Sequence, residues 1–304
     1  MTLTQPLRKA LVRAVLCLAA VALLTTASPA SAAPPSPSPA KMDYVALGSS
    51  FAAGPGIPNI IDPRCGRSDN NYAHLVAEAL QLTLTDVTCS GATINNIIGT
   101  PQNGRPAQIT AVTDATDVVT ATIGGNDVNY MADLHRNSCA VEGTTAVPGN
   151  DPAVPDPFDP LICTQFNLAA AQEQLAGLTA ELVDMVEAIQ EAAPNARVVL
   201  VDYLTILPQN GKPCPGLPLD REEIGYSLDV ARQLALATKH AAQRTGAELV
   251  ELSKASRHHD VCSADPWVTA WEFGPDIFAG GALAYHPNEE GMEAAAALVI
   301  DQLS

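Results

Sequence analysis

Five short apolar runs, separated by helical patterns and loops, set the strongest limit on how this chain folds. They are Asp43–Gly48, Thr83–Thr88, Asp117–Ile123, Arg197–Asp202 and Ala247–Leu252. Helical signals lie between and after them. Asn70–Leu80 reads as a helix. Leu168, Ala171, Leu175, Leu178, Leu182, Met185 and Ile189 recur at three- and four-residue steps, one apolar stripe on a long helix that Pro194-Asn195 ends. Glu222–Thr245, closed by Gly246, reads as a second long helix, and Asn288–Leu303 as the last. Strands that are nearly all apolar and alternate with helices belong to a parallel sheet covered on both faces. The expectation is one α/β domain with no internal repeat. His135–Gln165, Gln209–Asp220 and Ser253–Tyr285 read as irregular walls.

The first 32 residues do not belong to that domain. Arg8, Lys9 and Arg13 form a basic start, Ala14–Leu24 is apolar, and Ala30-Ser31-Ala32 has the small-x-small pattern of a signal-peptide cleavage site. The apolar run falls short of the about 20 residues a membrane span needs, and no later run is longer. Residues 1–32 are therefore expected to be a signal peptide, 33–42 a Pro/Ser-rich tether and 43–304 the folded domain of an exported protein. The leader holds three basic and no acidic residues, which leaves 13 basic against 33 acidic side chains, a net charge of −20. A surface this acidic repels nucleic acid and anionic membranes. No nucleic-acid partner and no integral membrane association are expected, and a monomer suffices.

Cysteines support export. Without Cys17 in the leader, six remain, and an even number in an exported chain argues for disulfides. The simplest pairing is sequential: Cys65–Cys89, Cys139–Cys163 and Cys214–Cys262. A metal site can be sketched at His258-His259-Asp260 with Cys262, but an oxidised Cys262 cannot ligate. No metal and no cofactor are expected, and there is no phosphate loop. His135 and His240 read as surface residues. Trp267 and Trp271 suit either the core or the rim of a pocket.

Chemistry concentrates where strands end. Gly48-Ser49-Ser50 follows the first strand, Cys89-Ser90-Gly91-Ala92-Thr93 the second, and Gly124-Gly125-Asn126-Asp127 the third; Tyr285-His286-Pro287-Asn288 precedes the last helix. Singly, these read as a helix cap, a turn glycine, an Asx loop and a helix start. Jointly they place a hydroxyl, amide donors and an imidazole at the carboxyl edge of one sheet, where open parallel sheets bind ligands.

These four blocks, in this order, resemble the SGNH hydrolases, or GDSL lipase/esterase family, over Asp43 to the end of the chain. The likeness is to its secreted branch typified by streptomycete enzymes, which also carry three disulfides. It implies a three-layer flavodoxin-like fold with a five-stranded parallel sheet of order 2-1-3-4-5. It further implies Ser50 as nucleophile, His286 as base, and an oxyanion hole from the Ser50 and Gly91 N–H groups and the Asn126 amide. Pro287, Asn288 and Gly291 fit the family's Pro-Asn-x-x-Gly run. The implied activity is secreted carboxylester hydrolysis on a small-molecule or lipid ester, as a lipase, esterase or phospholipase. The same machinery serves carbohydrate O-deacetylases, and a catalytically inactive secreted binding protein would keep the same fold.

Two positions depart from the pattern. Ser49 stands where the family has aspartate, which makes Ser49 the competing nucleophile. Leu283 stands where the family commonly has the aspartate that orients the histidine. The expectation is that the main-chain carbonyl of Leu283 orients His286 instead, with Glu272 or Asp276 as side-chain alternatives. There is no Gly-x-Ser-x-Gly elbow, which disfavours an α/β-hydrolase.

Overall fold

A computed structural model describes residues 41–141, 168–271 and 283–304. Its main sheet has five strands: β1 (Asp43–Gly48), β2 (Thr83–Asp86), β3 (Val118–Thr122), β4 (Arg197–Val201) and β5 (Glu248–Val250). All neighbours are parallel and the order is 2-1-3-4-5. The chain leaves β1 for one edge and returns beyond it to β3, so the order reverses between β1 and β3. Gly48 stands beside Thr122, and these two strands end level.

Burial explains the strand composition. Every residue of β3, and all of β1 after Asp43, is buried, as central strands covered on both faces must be. β1 spans its whole apolar run, and the other four strands are shorter than theirs. β2 stops at Asp86 because its carboxylate accepts from Thr88 N (2.9 Å) and Thr88 Oγ1 (2.7 Å), folding the chain into an Asx turn.

Helices flank the sheet. They are α1 (Ser50–Ala53), α2 (Tyr72–Leu80), α3 (Ile94–Ile98), α4 (Tyr130–Val141), α5 (Leu168–Ala192), α6 (Arg221–Thr245), α7 (Leu252–Ala255) and α8 (Glu289–Leu303). α5 packs on α6, and α2 on α8. The stripe on α5 is real: Leu178, Leu182, Met185 and Ile189 are fully buried, each contributing about 1.5–3 kcal/mol. α6 starts at a capping box in which Asp220 accepts from Glu223 N and Glu223 reaches back to Asp220 N. A separate small ribbon pairs Ile60–Asp62 with Arg67–Ser68.

One expected irregular stretch is in part a helix. α4 carries the chain from Tyr130 to Val141, across the start of the 135–165 wall. Its buried face mixes Tyr130, Met131 and Leu134 with His135 and Ser138, so apolar periodicity alone does not reveal it. Cys65–Cys89 and Cys214–Cys262 are disulfides. The Cys139–Cys163 pairing lies outside the described residues. No helix among the described residues is long and apolar enough to cross a membrane.

Candidate active site

The site forms where β1, β2 and β3 end. Ser49 N donates to Thr122 O (3.0 Å) and Cys89 N to Gly48 O (3.0 Å), lacing the three ends together. Gly48 sits at φ 141°, and a Cβ there would lie 2.6 Å from Thr122 O. Only glycine lets the chain turn this close to β3. The turn sends the two serines to different partners. Ser49 Oγ meets the Tyr203 hydroxyl (3.1 Å), whereas Ser50 Oγ lies 2.8 Å from His286 Nε2. Ser50 opens α1, whose Phe51 packs its ring against both His286 and Tyr203.

His286 is fully buried at the start of α8. Its carbonyl accepts from Thr269 N (2.9 Å). Two residues on, Asn288 caps α8 by accepting from Gly291 N (2.8 Å), and its amide donates to Pro266 O (2.7 Å). A Cβ on Gly291 would lie 2.2 Å from Trp267 O. The Pro-Asn-x-x-Gly run thus ties the helix start to the 266–269 strand-like segment that holds the histidine.

The orienting carbonyl is not that of Leu283. His286 Nδ1 lies 3.0 Å from Ala284 O. The Leu283 carbonyl is occupied by the Thr269 hydroxyl and by His286 N (3.0 Å). The one-residue shift comes from Tyr285, whose φ of 63° puts it in the left-handed region. That turn points the carbonyl two residues before the histidine back at its own ring. Among the described residues no carboxylate bonds His286. Asp265 is 77% exposed beside His259. Glu272 and Asp276 lie outside the described residues.

A carbonyl can only accept, so Nδ1 of His286 carries the hydrogen and Nε2 offers its lone pair to Ser50. Burial pushes the imidazole down to about 3, the neighbouring His135 adds to this, and the Ala284 carbonyl opposes it. The ring is therefore neutral at rest.

The Gly91 and Asn126 loops are stitched to each other. Asn126 Nδ2 donates to Ala92 O (2.8 Å), and Ile94 N donates to Asp127 Oδ1 (3.0 Å). Burial raises Asp127 to about 6, against the pull of that N–H. Gly91 sits at φ 78°. Neither Ser50 N nor Gly91 N donates to another described residue.

Three residues here carried no signal in the sequence blocks. Tyr203, just past β4, accepts from Gly125 N (3.0 Å) and shares a hydroxyl–hydroxyl bond with Ser49 Oγ (3.1 Å). A Cβ on Gly125 would lie 2.8 Å from that hydroxyl. Thr269 braces Leu283 and His286. His135 is not a surface residue: it is 5% exposed, with Nε2 3.0 Å from Ala284 O. Burial drives it down to about 4. His240 is exposed, Trp267 half-buried and Trp271 buried. The residues sketched as a metal site have other partners: Cys262 is bonded to Cys214, and His259 stacks on Trp267 at 3.8 Å.

The model of the GDSL-like lipase/acylhydrolase family matches residues 46–294. The chain belongs to this family. It is a carboxylic ester hydrolase of the GDSL type. It is 32% identical to "Lipase 2" of Streptomyces coelicolor over 303 residues, 98% of this chain and 97% of that protein. Among solved structures, the extracellular lipase of Streptomyces rimosus superposes with a TM-score of 0.64 at 25% identity, over 86% of this chain and 99% of the other. Phospholipase A1 of Streptomyces albidoflavus shares the fold, with a TM-score of 0.64 at 22% identity over 87% of this GDSL chain and 99% of its own.

Proposed function

We propose that this protein is an exported serine hydrolase of lipid or small-molecule esters that works through an acyl-enzyme on Ser50. The observation that carries the reading is the relay Ser50 Oγ, His286 Nε2, His286 Nδ1, Ala284 O, with both links at hydrogen-bond distance. Ser50 Oγ bonds the ester carbonyl carbon while its proton passes to His286 Nε2. The carbonyl electron pair moves onto oxygen. Ser50 N–H, Gly91 N–H and the free amide hydrogen of Asn126 receive that oxyanion. When the intermediate collapses, the leaving alkoxide takes the proton from Nε2. Water then repeats the sequence and releases the acid.

The geometry favours Ser50 over Ser49: the Ser49 hydroxyl bonds Tyr203 (3.1 Å), whereas the Ser50 hydroxyl bonds the imidazole (2.8 Å). Export is supported by the leader pattern at 1–32, the tether at 33–42, and the two disulfides within the 43–304 domain. It is supported too by the extracellular S. rimosus relative. The lipase and esterase names of the relatives favour carboxylic esters of fatty or short acyl chains as substrates.

The test is labelling with a fluorophosphonate ester together with turnover of p-nitrophenyl esters. Ser50→Ala is expected to abolish labelling and to lower kcat by about 10⁶, while Ser49→Ala remains labelled. A dead Ser49→Ala beside an active Ser50→Ala would overturn the assignment.

A further inference from the structure

We propose that His135 is a positioning residue for His286: it donates Nε2–H to the Ala284 carbonyl and holds that oxygen where it accepts from His286 Nδ1. The inference rests on the Ser50–His286 reading above and deepens it.

The Ala284 carbonyl receives two imidazoles at once. His135 Nε2 and His286 Nδ1 each lie 3.0 Å from it, and the two rings are nearly parallel, 6.0 Å apart and inclined by 10°. A carbonyl oxygen has two lone pairs and can accept both. Since it cannot donate, His135 must be the Nε2–H tautomer. Tyr285, the residue after this carbonyl, is held in the left-handed region, which non-glycine residues avoid. Such a peptide relaxes by rotating, and rotation would swing the Ala284 oxygen off His286.

Beyond the bonds from Thr269, two restraints on this turn come from one face of α4. His135 holds the Ala284 carbonyl, and three residues on, Ser138 Oγ bonds the Tyr285 hydroxyl at 2.6 Å. Trp271 and Tyr285 pack their rings against His135. α4 is itself anchored at its start to the Asn126 loop, through Tyr130 N to Gly125 O (2.9 Å) and Asn129 N to Asn126 O (3.2 Å). One helix therefore sets the carbonyl behind the base and borders the loop that carries Asn126. With no described carboxylate bonding the histidine, that helix supplies the rigidity that a buried acid gives in a serine triad.

Two measurements test this. In ¹⁵N-histidine-labelled wild-type protein at neutral pH, NMR should report His135 as the Nε2–H tautomer and His286 as the Nδ1–H tautomer. An Nδ1–H tautomer at His135 overturns the proposal, because Nε2 would then have nothing to donate. The second measurement is kcat per active site titrated with fluorophosphonate, on His135→Phe and His135→Gln. Phe fills the space without a donor; Gln places an amide donor near the lost Nε2. His135→Phe should lose about tenfold to a hundredfold in kcat, as a displaced catalytic group does. KM for a short ester should stay within about twofold, and His135→Gln should recover to within about threefold of wild type. A His135→Phe variant with wild-type kcat per site overturns the proposal, as does a His135→Gln variant as slow as His135→Phe. If His135→Phe does not fold, the wild-type tautomers decide. Labelling that is lost in Ser50→Ala keeps the hydrolase reading standing whichever way His135 falls.

Discussion

Replacing Tyr203 by Phe removes one oxygen atom and should disturb both ends of the β1 and β3 turns. That oxygen accepts from Gly125 N (3.0 Å) and bonds Ser49 Oγ (3.1 Å). Tyr203 is 6% exposed and Ser49 1%, so water cannot replace either bond. The Gly125 N–H then becomes a buried donor without a partner, which costs about 1–3 kcal/mol, and the Ser49 hydroxyl loses a bond worth about 1 kcal/mol. The expected destabilisation is about 2–4 kcal/mol, with little cavity penalty because no carbon is lost. Ser49→Ala removes the other hydroxyl but keeps the Gly125 N–H bond to Tyr203, and should cost about 1 kcal/mol. In the Tyr203→Phe background, Ser49→Ala should cost almost nothing, since it deletes a hydroxyl already orphaned. The cycle should thus show about 1 kcal/mol of coupling. Urea unfolding with the disulfides intact reads all four proteins, provided m is unchanged. Single-mutant losses that add to within about 0.3 kcal/mol would refute the bridge, and so would a Tyr203→Phe loss below about 0.5 kcal/mol.

Two further outcomes follow from the site. Asn126→Ala should lower kcat by about 10²–10³ with a small change in KM, because the amide bond strengthens only as the oxyanion forms; a KM effect at unchanged kcat would make Asn126 a substrate-binding residue instead. The acidic limb of kcat/KM reports the pKa of the free base. Burial holds His286 far below the ordinary histidine value, so the neutral, proton-accepting form persists as pH falls. The limb should therefore lie at least about one unit below 6.5. A limb at or above that value in the pH–rate profile of p-nitrophenyl acetate hydrolysis would contradict a buried neutral imidazole.

The sheet was legible because its signal is local and redundant. Each central strand is apolar on both faces, so five runs and their order of appearance suffice to imply a parallel sheet. The pairing of Ser50 with His286 was expected from the resemblance of the four blocks to the GDSL family, and the fold supplies a physical reason for it. Hydroxyl, amide and imidazole stand at the ends of elements that such a sheet brings to one edge. What was not legible depends on long-range contacts of residues with weak local signatures. His135 lies on a helix face that is buried yet half polar, so it reads as solvated. Tyr203 follows β4 without any motif, and only its contact with Gly125 explains why that position lacks a side chain. The shift from the Leu283 to the Ala284 carbonyl turns on a single positive φ at Tyr285. No pattern announces left-handed backbone at a tyrosine, because the residue is held there by its surroundings and against its own preference.

Absence of a described acid on His286 need not carry the full penalty seen when a serine triad loses its carboxylate. That penalty, about 10⁴ in rate, arises largely because the replacement side chain stabilises the wrong tautomer. A backbone carbonyl has no such failure mode. It can only accept, so at 3.0 Å it selects Nδ1–H and leaves the Nε2 lone pair on Ser50. What is lost is the attraction between carboxylate and the imidazolium that forms in the transition state. What is avoided is an ionised carboxylate in a pocket where the histidine itself is fully buried, an arrangement that costs several kcal/mol per ion unless every lone pair is satisfied. A neutral acceptor needs rigidity in place of charge, because its dipole acts only along a narrow direction. The bonds from His135 to Ala284 and from Ser138 to Tyr285 fix that direction from outside the relay. Rate in this protein should consequently depend more on substitutions in α4 than on neutralising any described carboxylate.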